Sequence, residues 1–91
     1  LTQIVFERAH EIGLERARAV AQRLADEMLE EFRVKSHWQG DALHFERSGL
    51  SGVLEVFEEH LRLEARLGFL LAAYRPRIEE RLAENFGRYF G

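Results

Sequence analysis

Four histidines and sixteen acidic side chains are the groups in this chain most able to do chemistry. His37 and His44 stand on either side of Gln39-Gly40-Asp41. If the flanking residues run as adjacent strands, the two imidazoles face each other closely enough to share a ligand or a metal ion. A zinc site would need a third and a fourth ligand, and partners to orient each imidazole. Glu46 and Glu55 are the candidates, but no ligand spacing places them. The plainer reading is two solvated histidines on an exposed sheet face. His10, beside Glu11, is expected to hold a turn through a hydrogen bond, and His60 reads as a surface residue next to a hairpin.

The other reactive types form no constellation. Glu27, Glu30, Glu31, Glu58, Glu59, Glu79 and Glu80 fall on helix surfaces and at a turn, not as an acid and a base across a cleft. Ser36, Ser48 and Ser51 lack a nucleophile motif. Gly49-Leu50-Ser51-Gly52 is too short for a phosphate loop and lies between strands instead of opening a helix. With no cysteine, thiolate ligands and disulfides are excluded. No catalytic residue, metal or cofactor is expected. The net charge of −3, with both signs interspersed and Lys35 the single lysine, argues against nucleic acid as a partner. The longest apolar run, Phe69 to Tyr74, is far short of the about 20 residues of a membrane-crossing helix. Leu1 to His10 lacks the basic and apolar regions of a secretion leader, and a reducing cytoplasm suits the missing cysteines.

The pattern that must position these groups is that of one domain, residues 1–91. Residues 3–9 alternate, with Ile4 and Phe6 on one side and Val5 and Glu7 on the other, which predicts a strand. Gly13 offers a turn. Leu14, Ala17, Ala21, Leu24 and Met28 recur at helical spacing up to about Glu31, with Val20, Ala25 and Leu29 widening the stripe. The arginines of this segment lie early and the acids late, against the helix dipole, but exposed terms of this kind are worth at most about 1 kcal/mol each. Burying a large apolar side chain contributes about 1.5–3 kcal/mol and outweighs them.

From residue 32 the period becomes two. Phe32, Val34 and Trp38 alternate with Arg33, Lys35 and His37, and turns are predicted near Gly40, at Ser48-Gly49 and at Glu58-Glu59. Short loops there oppose Leu43 to Leu54, Val56 to Leu61 and Leu54 to Leu63, and all three turns agree on one apolar face. Pro76 then favours a final helix over Pro76 to Tyr89, with Ile78, Leu82, Phe86 and Tyr89 on one stripe. The expectation is an α+β fold in the order strand, helix, four-strand antiparallel meander, helix. The first strand pairs with the last, and two helices pack on one face of the sheet.

Some apolar residues are left over. Val53 and Phe57 fall on the outer face, among Arg33, Lys35, Glu46, Glu55, Arg62, Glu64 and Arg66. That face reads as cross-strand ion pairs or as a polar surface for a second copy. Phe69, Leu70 and Tyr74 either form an exposed patch for a partner or plug the end of the core beneath the last helix, the plainer expectation. Trp38 is expected in the core.

Ile4-Val5-Phe6-Glu7-Arg8-Ala9-His10 with Gly13 and Ala17-Arg18 resembles the opening of a family of small bacterial proteins, the polyhydroxyalkanoic acid system family. Trp38-Gln39-Gly40-Asp41 with Leu43, Phe45, Arg47, Ser48, Gly49 and Gly52 is similar to its hairpin signature. So is Glu64-Ala65-Arg66-Leu67-Gly68-Phe69-Leu70-Leu71, followed by Ile78-Glu79. The resemblance spans essentially the whole chain and brings no catalytic residues with it. It implies an association with bacterial storage polyester, in the cytoplasm or on polyester granules. The element order is also similar to a shortened helix-grip protein, with too few strands to wrap a deep cavity alone.

The expected function is therefore that of a non-catalytic accessory protein touching a granule, a granule protein or another copy of itself, as a homodimer. One alternative is an acyl or hydroxyacyl ligand between helices and sheet, bordered by Trp38, Phe45, Leu54, Leu71 and Phe86. The other is an enzyme built on His37 and His44.

Overall fold

The computed structural model describes residues 2–90. The chain runs β1 (Thr2–Ala9), α1 (Gly13–Phe32), β2 (Lys35–Gln39), β3 (Ala42–Arg47), β4 (Leu50–Val56), β5 (His60–Leu67), α2 (Phe69–Ala72) and α3 (Arg75–Phe90). The strands form one antiparallel sheet in the order β1-β5-β4-β3-β2. The predicted register is the one found: Leu43 opposes Leu54, Leu54 opposes Leu63 and Val56 opposes Leu61. The first hairpin closes with Gln39 paired to Ala42, so its loop is Gly40-Asp41.

Two boundaries differ from the sequence reading. Phe32 ends α1 instead of starting a strand, because Arg33 adopts a left-handed conformation (φ 59°) that terminates the helix. The Arg33 and Val34 amides donate back to the carbonyls of Leu29 and Met28, and Arg47 Nη1 donates to the Phe32 carbonyl at 2.9 Å. Arg47 thereby supplies the positive charge that the last turn of α1 lacks. Arg33 consequently stands outside the outer-face charge array. The second difference is α2, a single helical turn within the Phe69–Tyr74 run, for which no helix was predicted.

The core lies on one side of the sheet. Ala17, Ala21, Leu24 and Ala25 of α1 and Phe86 of α3 meet Leu43, Leu54, Val56, Leu61 and Leu63. Phe6 stacks on Phe86 with ring centroids 5.1 Å apart. Ile4, Ala65 and Leu67 form an adjoining cluster, with Leu71, Ile78 and Leu82 packed on it. Leu29, expected to widen the α1 stripe, is instead 52% exposed.

On the opposite face Arg62 binds three carboxylates: Glu64 at 2.8 Å, Glu7 at 3.2 Å and Glu55 at 3.6 Å. The hydrogen bond from Arg62 is the main reason that the Glu64 carboxyl sits below the ordinary carboxylate range. Desolvation opposes the shift, and the charges of Arg62 and Arg66 and the Gln3 amide reinforce it. With the folded value depressed, the network stabilises the fold above the ordinary carboxylate range and is lost as pH falls through that folded value.

A buried imidazole ties the first corner of the chain to the far hairpin. His10 is 5% exposed; its Nε2 lies 3.0 Å from the Phe57 carbonyl, and its Nδ1 lies 3.4 Å from the Ile12 amide. The Ile12 amide can only donate, so Nδ1 accepts and the Nε2 proton points at Phe57. The His10 backbone amide bonds Glu59, and Glu58 Oε2 accepts from the Leu14 amide at 3.4 Å, placing a carboxylate at the positive end of α1. The turn-holding role expected of His10 is what its hydrogen bonds show. Replacing His10 by Ala leaves the Phe57 carbonyl without this donor and is expected to cost about 1–3 kcal/mol. Urea unfolding should read it as a lower midpoint with an unchanged slope.

Candidate functional site

Between α1, α3 and the apolar face of the sheet lies a groove of about 710 Å3. Its origin is a gradient of burial along both helices. In α1, Ala17 and Ala21 are fully buried, Met28 is half-buried and Phe32 is 43% exposed. In α3, Phe86 is buried, Ile78 is half-buried and Arg77 is exposed. The last turns of α1 and the first turn of α3 are therefore covered less than the rest, and the groove opens beneath them.

Ala65 of β5 and the ring of Phe45 of β3 form part of its floor. Gly52 on β4 is paired with both and lies beneath the Phe45 ring. A Cβ on Gly52 would meet the Glu64 carbonyl oxygen and, at 2.6 Å, Cζ of Phe45. The Phe45 ring thus lies across the position that any larger residue would fill. Leu71, Leu67 and Leu50 close the α2 end. That end is fixed by two glycines: the Gly68 amide bonds the Gly49 carbonyl at 2.8 Å, and a Cβ on Gly68 would come within 3.3 Å of Gly49 Cα. Gly49 itself has φ 83°, a conformation that side chains rarely adopt.

Of the residues expected to face a ligand, Phe45, Leu54, Leu71 and Phe86 all border the groove, and Trp38 does not. Trp38 is half-buried near the sheet edge, where it packs against the main core cluster without being enclosed by it. Its indole N–H donates to Gln22 Oε1 at 2.8 Å and the Arg18 guanidinium lies 4.5 Å from its ring centre. Its position beside the outermost strand pair explains why it is not fully covered. The plug expected of Phe69 and Tyr74 is overturned: Phe69 is 92% exposed, Leu70 80% and Tyr74 55%. The single turn of α2 spends only Leu71 on the core, and Tyr74 sits at the rim of the groove.

Val53 and Phe57 do not join that patch. Val53 lies half-buried on the outer face between His44 and Glu64. Phe57 follows the end of β4 and stacks on His60 at 4.3 Å, at the opposite end of β5 from Phe69. His37 and His44 are directly opposed, with rings stacked at 5.3 Å. Among the described residues no group of three His, Asp or Glu side chains gathers that could hold a metal.

Sequence reasoning missed the cationic rim. Arg47 and Arg77 border the groove and are exposed, beside the Tyr74 that the sequence did single out. The one signal for the groove was Ala65, a small residue that the register sets on the greasy face among larger ones. The arginines carried none, because their meeting depends on how α3 folds back.

No curated protein and no solved structure matches this chain. A family model described as "Putative polyhydroxyalkanoic acid system protein" matches residues 4–90, all but a few terminal residues. By that match the chain, with its one-sided sheet, its apolar groove and the bare apolar turn beside it, belongs to the polyhydroxyalkanoic acid system protein family.

Proposed function

We propose that this protein is a non-catalytic accessory component of polyhydroxyalkanoate storage that works in the cytoplasm by seating on the polyester granule. The observation that carries the reading is the exposure of Phe69, Leu70 and Tyr74 on consecutive turns beside the groove. Large apolar side chains left in water at one place mark a contact surface. A storage polyester offers a suitable partner, since its alkyl groups accept apolar side chains without demanding shape. Each such side chain transferred from water contributes about 1.5–3 kcal/mol. No helix among the described residues is long and apolar enough to cross a membrane, so attachment through this patch is peripheral.

The test is co-sedimentation of purified protein with amorphous polyhydroxyalkanoate particles. The wild type is expected to pellet, and the Phe69→Ser/Leu70→Ser double variant to bind about tenfold or more weakly while melting at the same temperature, because neither side chain is packed in the core. A wild-type protein that stays in the supernatant ends the reading of direct granule contact. A double variant that pellets like the wild type moves the contact elsewhere, to another face or to a granule protein.

Self-association belongs to the same reading. The outer face is bare of helices, and β1 and β2 are edge strands, with Val5 of β1 52% exposed. Open edges and self-complementary charge are usual sites of pairing between copies. Light scattering at micromolar concentration should give the mass of two chains; the mass of one chain counts against it.

The groove favours a second reading, an acyl or hydroxyacyl segment held between helices and sheet. Its volume of about 710 Å3 lies within the range of about 300–1,000 Å3 typical of small-molecule sites. Methyl dodecanoate, an uncharged acyl probe, should shift the amide resonances of Ala65 and Leu71 and leave those of His37 in place. Unmoved resonances at Ala65 and Leu71 would remove it.

A further inference from the structure

The groove is apolar within and cationic at its opening. Its floor includes Ala65 and Phe45, and its exposed border carries Phe32, Arg47, Tyr74 and Arg77. Arg47 leaves the end of β3 on the groove side, paired with Leu50 across the Ser48-Gly49 turn. One of its guanidinium N–H groups is committed, from Nη1 to the Phe32 carbonyl at 2.9 Å, which anchors the side chain next to the mouth. A guanidinium has five such donors, so most of its capacity remains. Arg77 has no ion pair or side-chain hydrogen bond among the described residues, and it lies one residue before Ile78, which packs on the core beneath. The third arginine of the border, Arg81, is engaged with Glu31 at 3.7 Å.

The acidic residues of the border do not cancel this arrangement. Glu84 also lines a separate polar cleft between α1 and α3, with Glu27, Glu31, Arg81 and Arg88. Glu80 is the remaining acid of the border and lies one turn further along α3 than Arg77. Arg47 and Arg77 are thus the border arginines with no acid paired to them among the described residues. An alkyl chain laid on the floor would carry a terminal anion out to that border. Arginine pairs with carboxylate through two parallel N–H···O bonds, which fixes orientation as well as charge.

We propose that the groove binds a medium-chain carboxylic acid, with its alkyl chain over Phe45 and Ala65 and its carboxylate held by Arg47 and Arg77. The proposal rests on the reading of the groove as an acyl site and adds the head group, which that reading leaves open. It also separates this site from the granule-facing turn, since Phe69 and Leu70 point to solvent while the acid enters beneath Tyr74. The free acid, as the hydrolysis product of an ester or thioester, is then a distinct ligand from the intact polyester chain.

The deciding experiment is calorimetric titration of the full chain with dodecanoate and, separately, with methyl dodecanoate, on wild type and on Arg47→Met and Arg77→Met. Dodecanoate is expected to bind the wild type roughly ten- to hundredfold more tightly than the ester, the range for hydrogen bonds to a charged group. Each arginine variant is expected to lose most of that preference while keeping its affinity for the ester. Equal binding of acid and ester by the wild type would overturn the carboxylate site and leave the acyl groove standing. Binding of neither would overturn both. Should Arg47→Met melt lower because Phe32 has lost its donor, Arg77→Met carries the test, and an unchanged acid preference in that variant would exclude Arg77 as a head-group ligand.

Discussion

A sheet that is greasy on one side only governs this molecule. Turns at Gly40-Asp41, Ser48-Gly49 and Glu58-Glu59 lock the four-strand meander into a register that sends Leu43, Leu54, Leu63 and Ala65 to the same face. A slip of one residue in any strand would send that strand's apolar set into water and the charged set into the core. The register is therefore held by burial, and both helices are recruited to cover what it exposes. His10 and Glu58 then decide where the first helix begins, by fastening its start to the β4–β5 turn.

Coverage is complete at one end and incomplete at the other. Alanines at positions 17 and 21 let α1 approach the sheet closely, and the stacked Phe6 and Phe86 bring the end of α3 down beside it. Beyond that point the helix surfaces become larger and more polar. The contacts between α1 and α3 there are polar: Tyr89 with Glu27 at 2.8 Å, and Arg81 with Glu31 at 3.7 Å. The exposed Arg81–Glu31 pair contributes little, and the half-buried Tyr89–Glu27 bond is a single contact. The helices consequently remain apart over Phe45 and Ala65, and a groove survives where a fully packed protein of this size would have a solid core.

The same geometry separates two kinds of apolar surface. The groove is walled, shaped and bordered by arginine, which suits a single amphiphilic molecule. The α2 turn is convex, unwalled and without fixed charge, which suits a broad hydrophobic surface. Both proposals draw on the same chemistry, since a storage polyester presents an apolar surface and its hydrolysis releases hydroxy acids.

Local pattern alone determined the architecture. Period-two and period-3.6 spacing fixed the strands and both long helices, and the short turns left one choice of face for Leu54 and Leu63. The family, too, was legible in the residues around Gly13, Trp38 and Gly68. Tertiary structure decided what no spacing could. Phe69 and Leu70 look like core in the sequence, yet α2 is one turn long and a single turn can bury only one side, here that of Leu71. Trp38 carries the composition of a core residue but sits near the outer pair of strands, where coverage runs out. Arg47 and Arg77 are thirty positions apart, and only the fold-back of α3 over the sheet brings them to one opening. Side-chain type sets which surfaces seek burial; chain length, edges and the finite reach of each helix set which of them obtain it.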